Sequence, residues 1–293
     1  MKRFALSLIS SFLAFTAGLV TASSWNAMQQ VVADPVVVER CPPGQQSSPQ
    51  IGVAINPTLT EARDREYHFA QGRLKLVPEN VQLKSDSLHY DIDVKYPQIV
   101  GADTPGIRKI NQHLKALATA KYQWPLNESP EDIRRDQERL PGTYNSVNFD
   151  YEVSVATDSF LSIFFTGYSY GVGAAHAVQE SESLNYDLAS GSELKLADLF
   201  KSGSKYLDFI SEYCIEQLSA TAGVPDRLNK GRLAPAAKNF ENWHITTGGI
   251  SFNFDACEIF ACAEGDQSVE IPFSDLRPLF APGIPGKFNI TYP

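Results

Sequence analysis

Hydrophobic and polar residues alternate strictly along the chain from Leu88 to Tyr96. The apolar side chains are Leu88, Tyr90, Ile92, Val94 and Tyr96, and the polar ones between them are His89, Asp91, Asp93 and Lys95. A period of two residues is typical of a strand with one buried face. We therefore predict a half-buried strand here, with His89 on its polar face as an ordinary surface residue.

The period changes to that of a helix after this strand. Thr104 is a good N-cap residue, Pro105 suits the first helical position, and apolar residues then recur at helical spacing at Ile107, Ile110, Leu114 and Leu117. His113 lies on the flank of this helix, where we expect a plain surface residue. Ser129 and Pro130 begin a second helix with few apolar residues, which we expect to lie exposed.

The rest of the chain predicts further strands and one more helix. Alternation returns from Val147 to Val155, an aromatic run extends from Phe160 to Tyr170, and another strand ends at Leu188. After a turn at Ser190-Gly191, the alternation resumes at Leu194 and Leu196. A helix is then predicted from an apolar stripe at Tyr206, Leu207, Ile210, Tyr213, Cys214 and Leu218. Two last strands carry Ile250, Phe252 and Phe254, then Val269, Ile271 and Phe273. Strands grouped in runs with interspersed helices indicate an α+β fold, with helices packed against antiparallel sheets.

The N-terminal region predicts export. Lys2 and Arg3 precede an apolar run at residues 4–20, and Val20-Thr21-Ala22 provides the small residues of a cleavage site, so residues 1–22 are typical of a signal peptide. The alternative is an uncleaved membrane anchor, because the run is nearly long enough to span a bilayer. We expect a periplasmic or secreted protein, anchored to the membrane only if this segment is retained.

The mature chain divides into three parts by composition and pattern. Residues 23–65 are rich in Gln, Pro and Ser without periodicity, which is typical of a flexible tether. Residues 66–141 predict a smaller N-terminal βα subdomain, and residues 142–293 a larger α+β subdomain.

The net charge limits the classes of partner. The formal charge is −9, and removal of Lys2 and Arg3 with the signal peptide would make it −11. An acidic surface repels phosphate backbones, so we expect no nucleic acid partner, whereas a basic protein would be attracted. The simpler interpretation is that the negative charge only keeps the protein soluble.

Candidate chemistry is sparse. The five histidines show no metal-ligand spacing, motifs for a serine nucleophile or a phosphate loop are absent, and we expect no metal and no cofactor. His176 closes a segment of small residues at positions 171–175, where a partner could approach the backbone closely, although a loop histidine with a local hydrogen bond is the simpler interpretation. Glu180 and Glu182 could share one strand face, or could belong to a solvated edge.

Two stretches resemble a known family. The first stretch comprises Gly173-Ala174-Ala175-His176 and residues 185–200 (NYDLASGSELKLADLF). The second comprises residues 249–252 (GISF), 263–265 (AEG) and 269–273 (VEIPF). They are similar to the domain outside the membrane in RsiV, the lysozyme-sensing anti-sigma factor. The same domain accompanies the catalytic domain of some peptidoglycan deacetylases. Residues 90–100 and the helix from Pro105 resemble the smaller domain that usually precedes it. The resemblance therefore implies an RsiV-ectodomain-like subdomain at 142–293.

The resemblance implies binding more than catalysis. Only Met1, Lys2 and Arg3 precede the hydrophobic run, so we expect no sigma factor partner, and the metal-binding histidines of the deacetylase catalytic domain have no counterpart here. What remains implies a binding module for a lysozyme-like hydrolase or for cell-wall glycan. The alternative is a small periplasmic enzyme acting on peptidoglycan or another glycan. The candidate partner-binding residues are Gly171, Gly173, Ala174 and His176, and Ala174 replaces a glycine that the family commonly has.

The four cysteines all follow the signal segment, where an oxidising compartment lets them pair. Related domains commonly carry tyrosines at the positions of Cys257 and Cys262, so the swap of both implies one covalent pair. That pair would need a bend between Phe254 and Gly265. Cys41 and Cys214 would then pair with each other or stay free.

Cleavage after Ala22 predicts a mature protein that starts near Ser23. Intact mass spectrometry of the protein from an envelope fraction measures this directly. A species that retains Met1 and stays with the membrane would show that residues 4–20 are an anchor instead.

Overall fold

Two sheets and five helices make up the computed structural model over residues 67–222 and 227–288, which are the residues it describes. The large sheet has seven strands in chain order: β1 Tyr67–Phe69, β2 Leu74–Ser85, β3 Tyr90–Val100, β4 Asn145–Ala156, β5 Phe160–Tyr170, β6 Val178–Asp187 and β7 Ser192–Glu193. The small sheet has the order β10-β9-β8, from β8 Trp243–Ile245, β9 Gly249–Phe254 and β10 Gln267–Pro272. The helices are α1 Pro105–Leu126, α2 Pro130–Arg139, α3 Tyr206–Ala222, α4 Phe273–Leu276 and α5 Ile284–Lys287.

The pairing confirms the predicted α+β fold. Neighbouring strands are antiparallel in both sheets except β3 and β4, which run parallel. Parallel neighbours need a crossover connection, and α1 lies within the connection from β3 to β4. The helix is thereby placed against one face of the large sheet.

Both predicted helix starts are confirmed. The Thr104 side chain accepts a hydrogen bond from the Ile107 N–H at 3.2 Å, and α1 begins at Pro105. The Ser129 side chain accepts one from the Asp132 N–H at 3.1 Å. The second helix, α2, has no buried residue, so its exposure is also as predicted.

The apolar residues form two clusters. The first lies between α1 and the large sheet and includes Ile110, Leu114, Val94, Phe149 and Phe165. The second is built by α3, the small sheet and the chain that follows it, and includes Ile210, Leu218, Phe240, Phe252 and Ile271. A subdomain boundary near residue 141 stays a prediction; the large sheet is continuous across it, because β3 and β4 pair from Tyr90 with Asn145 to Val94 with Phe149.

Buried hydrogen bonds join the small sheet to the large one on the face opposite α1. Asn185 of β6 donates to the carbonyl oxygen of Trp243 at 2.7 Å and accepts from the Ser162 hydroxyl at 2.7 Å. That hydroxyl in turn accepts from the Ile245 N–H at 3.0 Å. Asn185 and Ser162 are both buried, so these bonds are shielded from water and connect β5 and β6 to β8.

Some local predictions were wrong. His89 is not in a strand: it ends the turn that precedes β3, with φ of 49°, and its ring lies edge-on to Tyr144. His113, by contrast, is exposed as predicted, and its Nδ1 also lies 2.8 Å from the hydroxyl of the buried Tyr186. Leu196 does not continue an alternating strand, because residues 196–199 form a 3-10 helix. Phe273 belongs to helix α4 instead of the last strand.

The signal segment, the tether and Cys41 lie outside the described residues. Among the residues that are described, no helix is both long and apolar enough to cross a membrane.

Asp187 and Lys287 form an ion pair that ties α5 to the end of β6, with 2.5 Å between Oδ2 and Nζ. Burial of Asp187 opposes its ionisation, but hydrogen bonds from Lys287 and Ser190 outweigh that effect and lower its pKa from 3.8 to about 2. A carboxyl group with a lowered pKa in the folded state stabilises the fold above its ordinary pKa and loses that effect as pH falls through the lowered value. The pair therefore contributes above about pH 4 and is lost toward pH 2.

We expect Asp187→Asn to lower the free energy of unfolding at pH 7 by about 1 to 2 kcal/mol, because a charge-assisted hydrogen bond is lost. Between pH 4 and 2 the difference from the wild type should disappear. Urea unfolding at several pH values measures both. The control is Asp91→Asn. Asp91 pairs with Lys84 at the surface, so the loss of this exposed ion pair should change the free energy of unfolding little. Equal effects of the two substitutions would contradict the prediction.

Candidate functional site

The loop from Gly171 to Ala177 connects β5 to β6 and reaches the surface. Gly173, Ala174 and His176 are exposed, and Gly171 is partly buried. Gly173 has φ of 93°, a conformation that favours glycine, and the Ala174 N–H donates to the Gly171 carbonyl oxygen at 2.9 Å to close a turn. Nδ1 of His176 lies 2.9 Å from the carbonyl oxygen of Ala177, so this nitrogen has a local partner.

A buried asparagine holds the loop in place. The side-chain oxygen of Asn145, at the start of β4, accepts a hydrogen bond from the Val172 N–H at 2.8 Å. Its side-chain nitrogen donates to Glu128 at 2.6 Å, in the connection between α1 and α2. Burial raises the pKa of Glu128, and the hydrogen bond from Asn145 partly opposes this. Because Asn145 is only 2% exposed, it links the loop rigidly to the helix end.

Trp124 lies beside this loop and was not predicted as part of the candidate site. Trp124 lies near the end of α1 with 37% of its surface exposed, and a methyl group built on Gly171 would lie 3.8 Å from its ring. Trp124 lies off the buried face of α1, which continues to the buried Pro125. A large aromatic residue outside the stripe is the one signal that could have identified it, since exposed aromatic residues are enriched where proteins bind partners.

Glu180 and Glu182 share one face of β6, and both pair with a residue of α1. Nζ of Lys121 lies 2.6 Å from Glu180 and 3.4 Å from Glu182. The same nitrogen lies 4.8 Å from the centre of the Phe149 ring. Lys121 is itself mostly buried, with 17% of its side chain exposed, so two carboxylates surround one shielded cation. The interpretation of these glutamates as a merely solvated edge is therefore wrong.

We call the combined area the loop–helix surface and define it as Trp124, the loop 171–177, Val178 and Glu180. Val178 is 58% exposed. The surface presents an aromatic ring, small residues and a glutamate that pairs with Lys121. Within residues 67–222 and 227–288, no group of three or more His, Cys, Asp and Glu residues could hold a metal ion.

A second polar cluster lies where the small sheet meets β6. Asp255 accepts hydrogen bonds from the Ser181 N–H at 3.1 Å and from its hydroxyl at 2.5 Å. Burial raises the pKa of Asp255, while these bonds act in the opposite direction. Glu258 follows in the same turn and forms a bidentate pair with Arg232.

The histidine of the small sheet, His244, is held by groups other than Ser181 and Asp255. Its Nδ1 lies 2.9 Å from the Asn253 side-chain nitrogen, and its ring stacks on Phe164. Burial lowers the pKa of His244 to about 4, so it is neutral at neutral pH. The Ser181 hydroxyl donates to the Asp255 carboxylate and accepts a hydrogen bond from the Asn242 side-chain amide at 2.8 Å, so both of its hydrogen-bonding roles are engaged within the cluster.

The predicted cysteine pair is present. Cys257 and Cys262 form a disulfide in the turn between β9 and β10, with 4.1 Å between their α-carbons. Cys257 has φ of 73°, and this sharp local bend is what brings two cysteines five positions apart together. Cys214 is a free thiol, fully buried in α3, and burial raises its pKa to about 12.

Two family models match different parts of the chain. The family described as Deacetylase PdaC matches residues 83–179, which contain Trp124 and the whole loop 171–177. The family described as a protein of unknown function, DUF3298, matches residues 197–274, which contain the small sheet and the disulfide. Neither match covers half of the chain.

Comparison with individual proteins leads to members of the same two families. The chain is 27% identical over 201 residues to the peptidoglycan-N-acetylmuramic acid deacetylase PdaC of Bacillus subtilis; this stretch is 68% of the chain but only 41% of that relative. A crystal structure of a DUF3298 family member from Bacteroides fragilis aligns over 74% of this chain and 98% of its own, at 18% identity and a TM-score of 0.52, which supports the fold. Another from Pseudomonas aeruginosa is 15% identical over 72% of this chain and 95% of its own, with a TM-score of 0.46.

We expect distinct alkylation behaviour from the three cysteines in the described part of the chain. Cys257 and Cys262 should resist alkylation until a reductant is added, since they are exposed but paired. Cys214 should resist until the protein is unfolded, because only the thiolate reacts and this thiol is buried. Peptide mapping without reductant checks this. Alkylation of both Cys257 and Cys262 in the native protein would refute the pairing.

Proposed function

We propose that the chain is an extracytoplasmic binding module without turnover of its own, whose target is a basic envelope protein. A lysozyme-like hydrolase is the leading candidate. The observation that carries this proposal is the loop–helix surface, where Trp124 and Val178 are exposed on the same surface as the ion pair of Glu180 with Lys121. The likeness to a peptidoglycan deacetylase supports a place in the cell envelope, periplasmic or secreted, with the membrane involved only if residues 4–20 are retained.

The chemistry of the surface favours a protein with basic side chains. An exposed tryptophan supplies contact area at small entropic cost, and glycines beside it leave room for the backbone of a partner. The formal charge of −9 would attract a cationic protein over a distance and would do so less as salt rises. Lys121 already neutralises part of the glutamate pair, so the binding energy should come mainly from the apolar contacts and less from charge.

The second candidate function is a small envelope enzyme acting on peptidoglycan or another glycan. The name of the curated relative is the observation that favours it, together with the contact between Ser181 and Asp255. The chain spans about two fifths of that relative, so the activity of the relative does not transfer by length alone. Incubation of purified protein with labelled peptidoglycan tests this function, and release of soluble label would support it.

Trp124→Ala and His176→Ala should each weaken binding to lysozyme by about 1 to 3 kcal/mol. His176 is exposed, so His176→Ala should leave the thermal unfolding temperature nearly unchanged, whereas Trp124 is only 37% exposed and its removal should also lower that temperature. Titration of the purified protein with lysozyme at low and at moderate salt measures the effect, and wild-type binding should be weaker at moderate salt.

The matched control is Leu83→Ala, because Leu83 of β2 is also 37% exposed but lies away from the loop. It should bind lysozyme like the wild type. The proposal fails if the wild type does not bind at low salt, or if the control weakens binding as much as Trp124→Ala does.

A further inference from the structure

The outer edge of β2 is open over most of its length. β1 covers only the beginning of this strand, because Tyr67–Phe69 pair with residues 74–76. Residues 77–85 pair with β3 on one side, and no strand within 67–222 and 227–288 pairs with them on the other. The unpaired N–H and C=O groups of a long edge strand form a template for another strand.

Two prolines in the β2–β3 ladder determine which backbone groups face outward. Pro78 lies opposite Pro97, and neither residue has an N–H, so the two cannot exchange backbone hydrogen bonds. Hydrogen-bonded and non-hydrogen-bonded pairs alternate along an antiparallel ladder. The backbone groups of Asn80, Gln82 and Lys84 therefore point away from β3, toward the open edge.

This edge is complementary to itself in one antiparallel register. When Gln82 lies opposite Gln82 of a second copy, Asn80 lies opposite Lys84 of that copy, and Lys84 opposite its Asn80. All of these residues face outward, so each pair can exchange both of its N–H···O=C hydrogen bonds. Pro78, which has no N–H to donate, lies beyond the end of this ladder.

Apolar side chains favour this register over its neighbours. Leu83 is 37% exposed, and Val81 is only partly buried at the margin of the cluster beneath α1. In this register each Leu83 lies opposite Val81 of the other copy. Sliding the second copy by two residues in one direction sets Leu83 opposite Glu79. Sliding it in the other direction sets Asn80 opposite Asp86, which lies in the turn after β2.

We propose that the protein forms a weak two-fold dimer through the outer edge of β2, centred on Gln82. A two-fold contact pairs a strand antiparallel with itself, as this register requires. A strand from another protein could satisfy the same backbone groups, but a second copy also supplies Val81 and Leu83 in the matching order. A contact made by one pair of strands lies at the low end of interface sizes, below roughly 1,200 Å², so the association should be weak and concentration-dependent.

The dimer edge is separate from the loop–helix surface. β3 and β4 lie between β2 and β5, the strand that leads into the loop 171–177. Self-association through β2 therefore goes beyond the proposed binding of a basic protein and does not depend on it.

Net charge gives the dimer a distinct salt dependence. Each copy carries a formal charge of −9, so long-range repulsion opposes association at low salt, and screening by salt reduces this repulsion. Within the contact no like charges lie opposite each other, because Lys84 lies opposite Asn80 and Glu79 opposite Ser85. Dimerisation should strengthen as salt rises, whereas lysozyme binding should weaken.

Two cysteine substitutions test the dimer and its register. Gln82→Cys places two thiols opposite each other at the two-fold axis, with α-carbons about 5.5 Å apart, which is within the range of a disulfide. Asn80→Cys is the matched control, since Asn80 is also exposed on β2 but its counterpart in the second copy lies more than about 10 Å away. Oxidation of the purified mature protein should give a covalent dimer for Gln82→Cys and none for Asn80→Cys. The wild type shows the background from its own cysteines.

Sedimentation of the uncross-linked protein over a concentration series measures the equilibrium. The wild type should shift from monomer to dimer as concentration rises, and more readily at moderate than at low salt. Gln82→Pro should weaken dimerisation about tenfold, because the two central interchain hydrogen bonds are lost. The N–H that it removes does not bond to β3, and the same edge already contains Pro78, so thermal unfolding should stay close to that of the wild type.

A wild type that stays monomeric at every concentration and salt overturns the proposal. If the Asn80 and Gln82 amides of such a monomer also resist hydrogen exchange, another segment of the same chain covers the edge. Equal cross-linking of Gln82→Cys and Asn80→Cys, or cross-linking of Asn80→Cys alone, overturns it as well. Should Gln82→Pro fail to fold, the two cysteine variants decide the outcome.

Crossed measurements separate failure at the β2 edge from failure of the loop–helix surface. Gln82→Pro should bind lysozyme like the wild type, and His176→Ala should dimerise like the wild type. Loss of both properties in either variant would contradict the independence of the two surfaces.

Discussion

The buried hydrogen bonds of Asn185 and Ser162 are the interaction on which the rest of the architecture depends. They connect two strands of the large sheet to the backbone of β8 and so fix where the small sheet sits. Polar groups buried in this way have few alternative partners, so a shifted arrangement would leave several of them unpaired. The junction thus selects one position for the small sheet. Packing of Phe160, Trp243 and Phe252 in the same cluster adds buried apolar surface area.

This junction determines how the two faces of the large sheet are used. One face is closed by α1, whose apolar stripe packs on Val94 and Phe149. The other face is closed only where the small sheet reaches, and the remainder stays polar and open along β2 to β6. The end of α1 and the loop 171–177 lie beside the face that α1 closes, whereas the polar side chains of β2 to β6 point outward on the other face.

Local structure was largely predictable because it depends on neighbouring residues. The caps at Thr104 and Ser129, the alternation in β3, β4 and β9, and the turn that lets Cys257 meet Cys262 all follow from short stretches of chain. Where a local pattern failed, a tertiary contact explains it. The alternation from Leu88 to Tyr96 predicts that His89 lies in a strand, but His89 lies in the turn before β3. There its carbonyl oxygen accepts a hydrogen bond from the Asn145 N–H at 2.9 Å.

The sequence by itself determined the fold class, the order of helices and strands, the acidic character and the loop of small residues as a candidate surface. Only the tertiary structure decided which distant residues meet, such as Trp124 beside Gly171 and Lys121 between Glu180 and Glu182. The physical reason is that periodicity reports which side of an element is buried, whereas strand order and register depend on packing among elements far apart in the chain. Parallel pairing of β3 with β4, which brings Asp93 beside Asn148, is such a case, because more than forty residues separate the two strands.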